Sequence, residues 1–162
     1  QAVATSSLVK YDLTKIPDSS AETKTTGYGV YDAASLLTAF GTATNIASGT
    51  NVITAVTTVT SVYRGNTTQG PKITGLKLGT GSAAGVLTFT TSADVAKVKM
   101  SVRAWSATKF AAITVNAGTA QTLVAADFTK DRALDFTLTA GKTITINFSM
   151  YAVMTSLELL GA

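Results

Sequence analysis

Few residues in this chain could carry chemistry. Gly79, Gly81 and Gly85 follow the apolar run Leu76-Lys77-Leu78, which is how a phosphate-cradling loop would begin. Such a loop needs a helix behind it, because the aligned N–H groups of a helix N-terminus hold the phosphates. Here Val86-Leu87-Thr88-Phe89-Thr90 follows, a strand-like run. The glycines therefore predict a hairpin joining residues 73–78 to 85–91, with glycine supplying positive φ. Ser106-Ala107-Thr108-Lys109 has the spacing of a serine nucleophile with a lysine base, a geometry that needs one helical turn to stack the two side chains. It lies in a polar connection between two strands and reads as a chance match.

Asp127, Asp131 and Asp135 are spaced four apart, and Asp94 and Asp127 could offer oxygens to calcium. No ligand-dense loop with a turn glycine accompanies them, so no metal site is assigned. The chain contains neither cysteine nor histidine, which removes thiolate and imidazole as nucleophile, base or ligand. The chain is read as a non-enzyme without a cofactor.

Two stretches could instead serve binding. In Lys97–Trp105 strict alternation puts Lys97, Lys99, Arg103 and Trp105 on one face, an aromatic beside polar donors that could grip a sugar ring. The first thirteen residues, with Val3, Leu8, Val9, Tyr11 and Leu13 as their apolar positions, form an arm that precedes the body of the domain. Such an arm can pair with its own sheet or complete the sheet of a neighbouring copy.

The elements that must position these residues are strands. Thr and other β-branched residues dominate, and Pro17 and Pro71 are the only prolines. Period-two alternation marks 97–105, 134–139 and 143–151. Further strands are predicted at 7–13, within 51–64, and at 73–78, 85–91, 111–116, 121–125 and 155–161. About ten short strands at regular spacing, half polar and half apolar, describe an antiparallel two-sheet β-sandwich, all-β and jelly-roll-like. Within 51–64 the apolar residues recur near every third position, which a flat strand cannot satisfy, so a bulge or a crossing between sheets is expected there. Asp32 as N-cap, Leu36, Leu37 and Phe40 on one side and Gly41 as stop predict one short helix over 32–40.

The 162 residues suffice for a single domain, read as the arm 1–13 followed by a sandwich over 14–162. Hydrophobic residues make up 46% and charged residues 14%, with mean hydropathy +0.30, and no run approaches the roughly 20 apolar residues of a membrane helix. The net charge of +4 and pI near 9.4 are spread in ones and twos along the chain. A nucleic-acid face would need them clustered. The start at Gln1, without an initiator methionine, fits a mature secreted chain.

Three segments carry a family resemblance: Thr60–Thr90 with its Leu-Lys-Leu-Gly, Val98–Asn116 closing in Val-Asn, and Thr143–Gly161. From about residue 36 to 160 the chain resembles the small extracellular, jelly-roll-like β-sandwich domains of secreted bacterial proteins, broadly similar to galactose-binding-like carbohydrate modules. The resemblance implies a secreted protein that binds or displays without catalysis. Two functions are expected on these grounds. One is a structural subunit of an extracellular homopolymer, a filament or surface coat, built by N-terminal strand complementation. The other is recognition of an extracellular polysaccharide through Lys97, Lys99, Arg103 and Trp105.

Overall fold

A computed structural model of the chain describes residues 5–18 and 29–162. Its strands are β1 (Ser6–Asp12), β2 (Ile46–Gly49), β3 (Ile53–Thr60), β4 (Val62–Arg64), β5 (Leu76–Leu78), β6 (Gly85–Ala104), β7 (Ala112–Val115), β8 (Gln121–Thr122), β9 (Arg132–Phe148) and β10 (Ala152–Gly161). The fold is all-β and antiparallel. One continuous sheet runs β2-β1-β10-β6-β9-β7-β8, with β3 beside β6, β5 beside β10 and β4 beside β5.

The layers of the sandwich are two arms of this sheet, joined through β6 and β9. In the first arm residues 97–102 of β6 lie between β10 and residues 132–137 of β9. In the second, residues 86–90 of β6 lie between β3 and residues 143–147 of β9. Val98, Met100, Leu134 and Leu157 of the first arm and Leu87, Phe89, Ile144 and Ile146 of the second belong to one buried cluster. Each such side chain contributes roughly 1.5–3 kcal/mol by leaving water.

The sequence separates 85–91 from 97–105, whereas the structure joins them in one 20-residue strand. The alternation shifts phase between them. Leu87 and Phe89, at odd positions, face the core before the junction, and Val98, Met100 and Val102, at even positions, face it after. Between Thr90↔Thr143 and Lys97↔Thr137 the chain takes seven steps on β6 against six on β9. The extra residue is absorbed as an irregularity that lets one strand keep its apolar side inward through the junction. Buried Thr91 serves backbone carbonyls left there, its hydroxyl donating to Ala93 O (2.7 Å) and Lys142 O (3.4 Å).

β3 resolves its own period-three pattern in the same way. Ile53, Val56 and Val59 are three apart, yet they stand opposite Thr91, Phe89 and Leu87, which are two apart. A bulge after each of the first two apolar residues takes up the difference. The threonines next to the shifts, Thr54 and Thr57, donate to Thr90 O and Thr88 O on β6. Ser61 then turns with φ 52°, and β4 continues beside β5, away from β6. Of the two alternatives expected in this stretch the bulge is present, and β3 and β4 stay in the same continuous sheet with different partners.

The α-helix found among the described residues, α1 (Ala33–Phe40), starts at Asp32, whose carboxylate accepts from Ser35 N–H (2.8 Å) while Ser35 Oγ accepts from Asp32 N–H (3.0 Å). This reciprocal capping box satisfies amide donors that a helix start leaves open. The helix buries Leu36, Ala39 and Phe40. Phe40 meets Tyr11 edge-on at 5.2 Å and Phe89 at 6.2 Å, so it links the two arms.

The glycine stretch after β5 is a turn but not a hairpin. β5 pairs with β4 and β10, and β6 with β3, β9 and β10. The loop crosses between strands that are not partners, pinned by Gly79 N–H to Ser61 O (2.7 Å) and Tyr151 N–H to Thr80 O (3.0 Å). Gly79 has φ 88°, and a Cβ on Gly85 would overlap the backbone of Leu78 and Gly79. Close passage of two chain segments is what requires glycine here.

Candidate functional site

The outer face of the first arm carries charged residues in an ordered pattern. Directly opposed residues on adjacent strands point to the same side of a sheet. Lys10 of β1 opposes Glu158 of β10, Glu158 opposes Lys99 of β6, and Lys99 opposes Asp135 of β9. These four side chains make a row of alternating sign across four strands. Beside it runs a second row, Asp12, Ser156, Ser101 and Ala133. Its small side chains form the floor of a shallow trough in two adjoining lobes of about 270 and 290 Å³, which share Lys10, Ser101 and Ser156.

Of the four residues expected on a ligand face, three reach this surface. Lys97 Nζ lies 3.5 Å from Asp135 Oδ2, and Arg103 Nε donates to Asp131 Oδ1 at 2.8 Å. Asp131 Oδ2 also accepts from Thr155 Oγ1 (3.1 Å), which fixes that carboxylate on β10. Lys99 takes its place in the row, between Glu158 and Asp135. The face is thus not a basic patch, because acids on β9, β10 and the turn before β9 are interleaved with the bases. Reading 97–105 in isolation finds the bases and misses the acids, which become visible only when four strands are in register.

Trp105 lies elsewhere, in a cluster around Lys77. Cross-strand registry sets Tyr63 opposite Lys77 and Lys77 opposite Val153. The Lys77 ammonium stands 4.5 Å over the Tyr63 ring, 4.7 Å over Trp105 and 5.7 Å over Tyr151. Trp105 and Tyr151 pack at 6.0 Å, and Gly70, with φ 60°, lies so close that a Cβ would enter the indole. Lys77 is only 2% exposed, and this burial pushes its pKa down to about 8, since desolvation disfavours the charged form. The ring faces offer their π density to the cation instead of water. The indole is thus engaged by its own chain at Gly70 and Lys77. Sequence reasoning missed Lys77, which sits between two core leucines like any outward residue of a strand.

The arm residues lie in their own sheet. β1 is flanked by β10 and β2, and Val9, Tyr11 and Leu13 are buried in the common core, with Leu8 packed against it. Val3 lies outside the described residues. The Tyr11 hydroxyl donates to Asn51 Oδ1 at 2.6 Å, and burial pushes its pKa up to about 12.

The remaining candidates are used structurally. Asp127, 3% exposed, accepts from Val124 N–H (2.7 Å) and pairs with Arg132 (3.0 Å). Among the described residues no group of three or more His, Cys, Asp or Glu side chains could hold a metal. Ser106 Oγ accepts from Thr108 N–H in a local turn, while Lys109 Nζ donates to Gly81 O, so the two are not joined as nucleophile and base. No helix among the described residues is long and apolar enough to cross a membrane. No protein-family model matches the chain, and no curated protein matches it significantly.

Proposed function

We propose that the chain is a non-catalytic structural subunit that self-associates in an extracellular assembly. One observation carries this reading: the charged groups of the first arm are laid out along rows spanning four strands. Groups that work on a small substrate converge on a recess. Here the four charges stand in a line along a trough that crosses four strands, a layout that suits contact with an extended surface. Assembly by donation of β1 is the narrower form of this reading, with a neighbour's Ser6–Asp12 entering the slot between β2 and β10. We favour contact between faces, because β1 completes its own sheet and an exchange would replace its contacts with identical ones. Light scattering on the concentrated protein, with negative-stain microscopy, is expected to find species larger than 16.6 kDa. A strict monomer at every concentration and ionic strength would overturn the reading.

The trough favours a second reading, recognition of an extracellular polysaccharide. The Ser101 and Ser156 hydroxyls make no side-chain hydrogen bond among the described residues, and Lys10, Lys99 and Glu158 flank them. An extended glycan laid across the strands could use these donors and acceptors. Affinity electrophoresis in gels containing soluble polysaccharides tests it. Retardation lost in Ser101→Trp, which fills the trough, supports it, and unretarded wild-type protein removes it.

A further inference from the structure

The row Lys10, Glu158, Lys99, Asp135 is self-complementary. Its signs run plus, minus, plus, minus. Place a second copy face to face, related by a two-fold axis parallel to the strands and midway between β10 and β6. Lys10 then meets Asp135 of the other copy, and Glu158 meets Lys99. All four positions find an opposite charge. A two-fold along the row instead sets every charge on its like, and a slip by one strand sets Glu158 on Asp135 and Lys99 on Lys99. The row selects one orientation and one register, which is the requirement for an isologous contact.

We infer that the outer face of the first arm is a dimer interface of this chain with a second copy, closed by this row. The inference rests on the assembly reading and specifies its first contact. Neighbouring features fit. Lys10, Lys99 and Asp135 are exposed. Ser101, Ala133 and Ser156 keep the adjacent surface low, so the charged heads of two copies can meet without a bulky side chain between them. Val124 is the one large hydrophobic residue exposed among the described residues, and it does not line this trough. Association here is therefore electrostatic, weak per pair and sensitive to salt.

Lys10 and Asp135 provide the sharpest test, because they cannot touch within one chain. Two strands separate them, roughly 14 Å at the usual strand spacing. Lys10→Asp and Asp135→Lys each place like charges together across the two-fold. The double variant restores both contacts between copies while worsening the in-chain neighbours, Glu158 beside residue 10 and Lys97 and Lys99 beside residue 135. Sedimentation velocity at low and high salt measures the outcome, with thermal melts checking that each variant folds. Expected are a wild-type dimer weakened at least tenfold by salt, single variants weakened likewise, and a double variant that associates as the wild type does. If the wild type associates but the single variants match it, or the double variant is weaker than either, the interface is wrong and the assembly reading stands. A wild type that never associates removes the assembly reading itself.

Discussion

The two arms share β6 and β9, yet their outer faces differ in kind. On the first arm β6 presents Lys97, Lys99 and Arg103 towards Asp135 and Asp131. On the second it presents Thr88 and Thr90 towards Thr145 and Thr143 of β9, and Thr88 Oγ1 lies 3.0 Å from Thr145 Oγ1. The change falls at the junction near Thr91–Lys97, where the ladder also gains its extra residue. Behind both faces lies the same apolar cluster. Core packing fixes only the inward half of each strand, and the outward half is left to set what the surface meets.

The largest effect tests the shared interior. Phe89→Ala in the second arm and Leu157→Ala in the first should each cost on the order of 3–5 kcal/mol, with one cooperative transition in both cases. Urea unfolding followed by fluorescence and by circular dichroism checks this, and two separate transitions would show that the arms are independent. A smaller effect comes from Lys77, a charge the first arm holds out of water. Its pKa is pushed down to about 8 when folded, against 10.5 in a free chain. Between these values the unfolded chain binds more protons, so stability rises with pH. The gain from pH 8 to pH 10 should be on the order of 2 kcal/mol, and Lys77→Met should flatten it. Above pH 10 the trend reverses, because burial keeps Tyr11 and Tyr31 protonated in the fold. The smallest effects compare the faces directly. Asp135→Asn and Thr145→Val should each change stability by less than about 1 kcal/mol. Only the first should shrink when salt is raised from low to molar concentration.

Local physics made much of this fold legible. Asp32 and Gly41 bracket α1 because a cap and a stop act within one turn. The period-three run at Ile53–Val62 announced its bulges, since no straight ladder can bury such a pattern. Three features depend on distant partners and could not be read this way. The run Leu76–Leu78 looks ready to fold back on 85–91, but β4 and β10 claim its edges. Lys77 is buried by Tyr63, Trp105 and Tyr151, which come from three separate segments. The charge row exists only in the register of β1, β10, β6 and β9, so its members are scattered from residue 10 to residue 158.

β3 pairs only with β6 among the described strands, which leaves it at a margin of the sheet. Its sequence, Ile-Thr-Ala-Val-Thr-Thr-Val-Thr, is uncharged, free of proline and strongly β-forming, the composition of an amyloid-competent segment. Two bulges in eight residues break the regular repeat of N–H and C=O groups that an incoming strand would need. The irregularity that packs Val56 and Val59 against the core thus also protects the folded protein against fibril seeding, a protection that ends wherever this segment detaches.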